Sequence, residues 1–161
     1  MKKIIYTLLI LVVLTNNSFS AGTTSDTSDG SSSYTKAYNL IKAAKKYEKK
    51  GKTDKAQKRY AKAQKLLLKS NKKKPLQADT LNYLGFTTRK LGDYEKGEEF
   101  YLQGLQIEPN HNGINEYLGE LYVATDRMDM AKERLEVLKD CNCEEFQELK
   151  NIIEGTKKSK Y

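Results

Sequence analysis

The sequence predicts an all-α protein built as a helical repeat, with three antiparallel helix pairs closed by a C-terminal capping helix. Two observations carry this. The chain repeats itself: Leu81-Asn82-Tyr83-Leu84-Gly85 aligns with Asn115-Glu116-Tyr117-Leu118-Gly119, and the two Tyr-Leu-Gly triplets lie 34 residues apart. The composition also suits amphipathic helices, with 38% hydrophobic and 31% charged residues and only two prolines to interrupt them. The length of 161 residues gives room for one domain.

Residues 1–20 read as an address rather than as part of that domain. Lys2 and Lys3 precede an apolar run from Ile4 to Leu14, and the small residues Ser18 and Ser20 place a cleavage after Ser20. This is the layout of a secretory signal peptide. The alternative is an uncleaved anchor, but the apolar run is shorter than the roughly 20 residues that span a bilayer. No cysteine lies near the cleavage site to carry a lipid. Residues 21–33 are nearly all Gly, Ser, Thr and Asp and are expected to form a disordered leader. Export, with the periplasm as the expected compartment, argues against nucleic acid as a partner and places the two cysteines in an oxidising environment.

The domain is expected over residues 34–157, followed by a short tail at 158–161. Its first helix pair, residues 37–75, is an atypical copy. A helix from Tyr34 to Lys50 presents Leu40, Ala43, Ala44 and Tyr47, and Gly51 makes the turn. The second helix carries Ala56, Tyr60 and Ala63 and runs to Ser70, with a lysine-rich connection from Asn71 to Pro75. Terminal copies of a repeat are often irregular.

The second pair, residues 78–111, is the most regular. Leu84 faces inward, and Gly85 and Gly97 make room for two helices to cross. Tyr101 fills the gap to the next pair, and Gly92 ends the first helix in a left-handed turn. Asp93 caps the second helix, and Pro109 closes the repeat. The third pair, residues 112–141, places Leu118, Gly119, Ala131 and Leu135 at equivalent positions. A capping helix over 143–157 shows one apolar stripe of Phe146, Leu149, Ile152 and Ile153. Asn142 and Glu145 are spaced as a capping box at its start.

These fixed positions at a 34-residue period closely resemble the tetratricopeptide repeat (TPR). From Leu81 to Leu149 the chain is similar to exported bacterial proteins of that family with no assigned activity. They share its Gly-Phe-x-x-Arg-Lys-Leu-Gly-Asp-Tyr run (Gly85 to Tyr94), its Tyr-x-Gly-Glu-Leu-Tyr run (Tyr117 to Tyr122), and a cysteine followed by two glutamates and an aromatic (Cys143 to Phe146). The resemblance implies a right-handed solenoid whose first helices line a concave groove for a peptide or protein partner. Carried over position by position, the groove residues are Tyr38, Ile41, Lys45, Glu48 and Lys49 in the first copy, Asp79, Asn82, Phe86, Arg89 and Lys90 in the second, and Gly113, Glu116, Glu120, Val123 and Ala124 in the third, with Lys45, Lys49, Asn82, Phe86, Arg89, Lys90, Glu116 and Glu120 the candidates for partner contact. A groove basic on one wall and acidic on the next can orient a peptide. The competing reading pairs Arg89 with Glu120 across neighbouring helices and leaves neither for a ligand.

The net charge of +8 is unevenly placed. Between Lys36 and Pro75 there are 16 Lys+Arg against Glu48 and Asp54, whereas from Leu76 to Tyr161 there are 11 Lys+Arg against 17 Asp+Glu. The basic region between Lys36 and Lys74 is a candidate contact for an anionic envelope surface. Cys141-Asn142-Cys143 could form a small disulfide, hold copper(I), or pack as two small apolar residues. A redox or copper-handling accessory is therefore the alternative function, and no cofactor is expected otherwise. His111 is the one histidine, too few ligands for zinc, and reads as a turn residue. The chain lacks a nucleophile–histidine pairing and a glycine-rich phosphate loop, so an enzyme is not expected.

Overall fold

The computed structural model describes residues 26–157; the expected signal sequence, its cleavage site, the start of the leader and the tail lie outside them. Among the described residues there are seven helices and no strand: α1 (Asp26–Glu48), α2 (Thr53–Lys73), α3 (Ala78–Lys90), α4 (Tyr94–Ile107), α5 (Asn112–Ala124), α6 (Met128–Val137) and α7 (Glu144–Ile153). None of them is long and apolar enough to cross a membrane.

Consecutive helices pack as pairs, α1 on α2, α3 on α4 and α5 on α6, with α7 against α5 and α6. The tight turns within pairs share one device, a residue in the left-handed region. It is Gly51 (φ +67°), Gly92 (φ +98°) and, 34 residues after Gly92, Asp126 (φ +58°). Glycine adopts this conformation without steric cost, and aspartate is among the residues that tolerate it. After Gly92, the Asp93 side chain accepts a hydrogen bond from the Lys96 amide at 3.0 Å and caps α4.

Close approach within the second pair explains its glycines. A Cβ added at Gly97 would lie 3.1 Å from the Gly85 carbonyl oxygen, and one at Gly85 would lie 2.5 Å from the Tyr101 ring. The two helical glycines thus trade intrinsic helix propensity for a crossing that only hydrogen atoms permit. In the third pair the space over Gly119 is filled by Leu149 of α7, whose Cδ2 lies 2.5 Å from where a Cβ would be. Leu135, the residue expected to fill the equivalent gap, is only half-buried. The capping helix therefore occupies the place that a further repeat would take.

The first helices also approach one another in series, α1 to α3, α3 to α5 and α5 to α7, whereas among the described residues the backbones of α2 and α4, and of α4 and α6, do not come close. The stack therefore curves with α1, α3, α5 and α7 on its inner side. One apolar cluster joins α1, α2 and α3 through Ile41, Tyr60, Leu67, Leu81, Leu84 and Phe86. A second joins α4, α5 and α6 through Tyr101, Ile114, Leu118, Leu121 and Ala131.

Several boundaries differ from the sequence expectation. Helix α1 starts at Asp26, not Tyr34, so helical structure reaches into the segment expected to be a disordered leader. Its packed part begins by Ser33, which is buried, and extending an existing helix needs no new nucleus. Helix α2 runs three residues past Ser70, to Lys73. Helix α7 ends at Ile153 rather than near Lys157, because Gly155 turns left-handed (φ +70°) and donates its amide to the Ile152 carbonyl. The cap of α7 is Cys143, with no side-chain hydrogen bond, while Asn142 takes a left-handed backbone (φ +47°) instead of capping.

Candidate binding groove

The side chains nominated for the groove divide into a buried set and an accessible set. Arg89, near the end of α3, and Glu120, on α5, are both wholly buried and pair at 3.4 Å. Arg89 also donates from Nη1 to the Tyr117 carbonyl at 2.6 Å. The geometry is that of structural pairing across neighbouring helices, the second of the two readings of this pair. Phe86 is buried as well, within 5.7 Å of the Tyr60 ring and 5.0 Å of the Tyr117 ring. These three side chains hold the first helices together and have no surface to offer a ligand.

Lys90 turns away from the groove, with its ammonium 2.7 Å from Glu48, which also accepts from the Tyr60 hydroxyl at 2.8 Å. Lys49 lies exposed in the turn beyond α1. Lys45 reaches from α1 past α3 to α5. It donates to the Tyr117 hydroxyl at 2.9 Å and sits 4.5 Å from the centre of the Phe86 ring, a geometry suited to cation–π attraction. Lys49 apart, the basic wall expected from the sequence is therefore engaged by the fold's own carboxylates, carbonyl and rings.

What remains open on the inner side is acidic. A pocket of about 340 Å³ between α3, α5 and α7 is lined by Asp79, Asn82, Tyr83, Glu108, His111, Gly113, Glu116, Tyr117 and Glu145. A neighbouring pocket of about 230 Å³ shares Glu116, Tyr117 and Glu145 and adds Lys45, Glu144 and Glu148. His111 sits at the rim, where it caps α5: Nδ1 accepts from the Ile114 amide at 3.2 Å, which leaves Nε2 to donate to Asp79 at 3.2 Å. The tyrosines register the surroundings. Burial, then Asp79, pushes Tyr34 up to about 12. Burial first, then negative neighbours that include Glu116, also raises Tyr83 and Tyr117.

Of the nominated residues, the structure brings Asp79, Asn82, Gly113, Glu116 and Lys45 to these pockets. Sequence reasoning missed Tyr83, Tyr117, Glu145 and Glu148. For the two glutamates the signal was present in Glu144-Glu145 and Glu148, one helical turn apart on α7, but that helix was read as a lid and Glu145 as part of its cap. At its start Cys141 and Cys143 are joined in a disulfide with Cα atoms 5.1 Å apart. Among the described residues no group of three or more His, Cys, Asp and Glu side chains gathers as a metal site.

A search of the curated proteins found no match. Among solved structures, the chain is similar to the first TPR of Spaghetti (RPAP3), solved bound to the HSP90 peptide SRMEEVD. Identity is 21%, the match covers 76% of this chain and 94% of that one, and the TM-score is 0.49. It is also similar to the first TPR domain of human RPAP3, at 19% identity, with 78% and 98% of the two chains covered and a TM-score of 0.47. Residues 78–111, which hold α3, α4 and the turn that follows, match the family model of the tetratricopeptide repeat.

Proposed function

We propose that the chain is an exported tetratricopeptide-repeat scaffold that binds a segment of another protein on its concave side, and that it performs no catalysis. The observation that carries this reading is the open pocket between α3, α5 and α7, lined by polar side chains from three helices of the inner layer. Convergent polar groups in a concavity are the usual makings of a recognition site. The charged layout after Met1 and the small residues before Ala21 support export.

The test is site-specific photo-crosslinking in intact cells. A photoreactive residue at Tyr83, in the pocket, is compared with one at Leu102, exposed on the outer helix α4. The expected result is one discrete adduct from position 83 and none from 102, with a synthetic copy of the captured segment competing it away. Equal capture at both positions, or none at 83, rejects the groove.

A second reading, a redox accessory, draws on the Cys141–Cys143 disulfide, since both cysteines are only half-buried and exchange requires access. Copper binding on this reading needs the reduced pair. It predicts function lost in a Cys141→Ser/Cys143→Ser variant whose crosslinking at Tyr83 is unchanged.

A further inference from the structure

We propose that the outer face of α2 is a second interaction surface, separate from the groove, and that it rests on an anionic lipid bilayer. Helical spacing builds the face. Lys55, Lys58, Lys62, Lys65, Lys69 and Lys72 recur at alternating steps of three and four residues, so they share one side of the helix, and all of them are exposed. The opposite side, with Ala56, Tyr60, Ala63 and Leu67, is buried in the cluster that joins α2 to α1 and α3. At a rise of about 1.5 Å per residue, the lysines form a ridge about 25 Å long.

The ridge differs from the other outer helices in its lack of counter-charge. Around α4 and α6, Lys96 pairs with Glu99, Arg127 with Glu98, Lys132 with Asp129 and Lys139 with Glu136. Helix α2 has one acidic residue, Asp54 in its first turn, and among the described residues no carboxylate meets Lys58, Lys62, Lys65 or Lys72. Like charges at this spacing repel one another along the helix. An external anionic surface relieves that repulsion.

A second observation lies where the ridge meets α1. A shallow cavity of about 240 Å³ is lined by Ala43, Lys46, Tyr47, Lys50 and Arg59, with three cations and no carboxylate. The Arg59 guanidinium lies 4.5 Å from the centre of the Tyr47 ring, and the Lys55 ammonium 5.9 Å from it. The ring steadies Arg59, and the set of cations suits the phosphate of a lipid headgroup.

The residue types favour lipid over a nucleic acid or an acidic protein. Lysines are point charges on flexible stems and can follow headgroups that have no fixed spacing. The α2 amides that could read a base edge are engaged within the fold, Gln57 with the Lys90 carbonyl and Gln64 with the Thr88 hydroxyl. Tyr47 is covered by Arg59, which leaves it no open face for stacking. Leu68, 47% exposed beside the ridge, is an apolar side chain that the headgroup region can take up.

The experiment is a fluorescence titration of the full chain with vesicles of phosphatidylcholine alone, or with phosphatidylglycerol as about one lipid in three. A polarity-sensitive thiol dye sits on Leu68→Cys, or on Leu102→Cys of α4 as reference; the native cysteines are joined to each other. The dye reports which face meets the bilayer, so contact through the apolar run near the N-terminus does not imitate the result. A blue shift is expected at position 68 and not at 102, on the phosphatidylglycerol vesicles, fading as salt rises from about 50 to about 300 mM. Lys58→Gln/Lys62→Gln/Lys65→Gln/Lys72→Gln should weaken the response roughly tenfold or more without lowering the melting temperature. Lys96→Gln/Lys132→Gln/Lys139→Gln/Lys150→Gln removes the same net charge elsewhere and should weaken it far less.

No shift at position 68 at low salt overturns the proposal. So do equal shifts at 68 and 102, equal shifts on the two kinds of vesicle, or equal weakening by the two lysine variants. If the vesicles give no response while the ridge holds a labelled polyglutamate or an oligonucleotide, its partner is an acidic protein or a nucleic acid and the lipid assignment falls.

Discussion

Replacing Arg89 tests whether this side chain builds the fold or serves a ligand. Arg89→Met keeps most of the aliphatic stem but leaves the wholly buried Glu120 carboxylate without the Arg89 cation, and the Tyr117 carbonyl without its donor at 2.6 Å. Removing one partner of a buried ion pair typically costs about 3–5 kcal/mol. Small domains are stable by only about 5–15 kcal/mol, so the variant should lose a large share of its stability. With a urea slope of about 1–3 kcal/mol per molar, the midpoint should fall by roughly 2 M. Glu120→Gln keeps shape and removes the charge, and should cost less than Arg89→Met. The double variant Arg89→Met/Glu120→Gln should recover part of the loss, with a coupling of at least about 1 kcal/mol. Recovery stops short of complete because the Tyr117 carbonyl still lacks its Arg89 donor in the double variant. The assay is urea unfolding followed by circular dichroism for the four proteins of the cycle. A midpoint shift under about 0.3 M for Arg89→Met, or strict additivity of the two single variants, would refute the structural pairing and return Arg89 to the ligand side.

Two further outcomes follow from packing and from burial. Gly85→Ala should destabilise by about 1–2 kcal/mol despite its better helix propensity, because its Cβ would lie 2.5 Å from the fully buried Tyr101 ring. Gly104→Ala, which meets only the terminal Cδ1 of Ile114, should cost less in the same thermal melts, since that methyl can rotate away. Stability should also fall in alkali. Tyr60 and Tyr101 are fully buried and burial is the first cause of their raised pKa, so the folded state keeps a phenolic proton that the unfolded state releases near pH 10. Their contribution is whole below pH 10 and declines above it by about 1.4 kcal/mol per pH unit for each such tyrosine. Urea midpoints measured between pH 9 and pH 11.5 check this, and a flat profile across that range contradicts it.

The repeat was legible because its demands are local and carried by few residue types. Gly92 must turn left-handed, Gly85 and Gly97 must admit a neighbouring helix, and Asp93 must cap, so each position restricts its residue and the 34-residue spacing exposes them. The ends were less legible for the same reason. Nothing in residues 26–33 forbids a helix, and whether they form one depends on what packs beside Ser33 rather than on their own composition. The role of Leu149 in covering Gly119 was likewise hidden, because an apolar stripe on α7 says that the helix docks but not which residue of the preceding pair it replaces.

The groove was harder to read, and the reason is geometric. In a single surface helix, charged side chains mark the solvated face. In this stack the inner helices are flanked on several sides, so α3 buries nearly all of its last two turns, with Leu84, Phe86, Thr87, Thr88 and Arg89 all inside. A charged residue on such a helix is as readily a tie to its neighbour as a contact for a ligand, and sequence spacing is identical in the two cases. Arg89 and Glu120 are spent inside, Lys90 is spent on Glu48, and the lining of the open pockets, with Asp79, Glu108, Glu144 and Glu145, is acidic. The chain's net charge of +8 gives the opposite sign, because most of its excess lysine lies on α1, α2 and the connection after them. The overall charge is therefore no guide to the concave side, and neutralising Glu108 and Glu145 there should change its local potential far more than an equal change of charge on the outer helices.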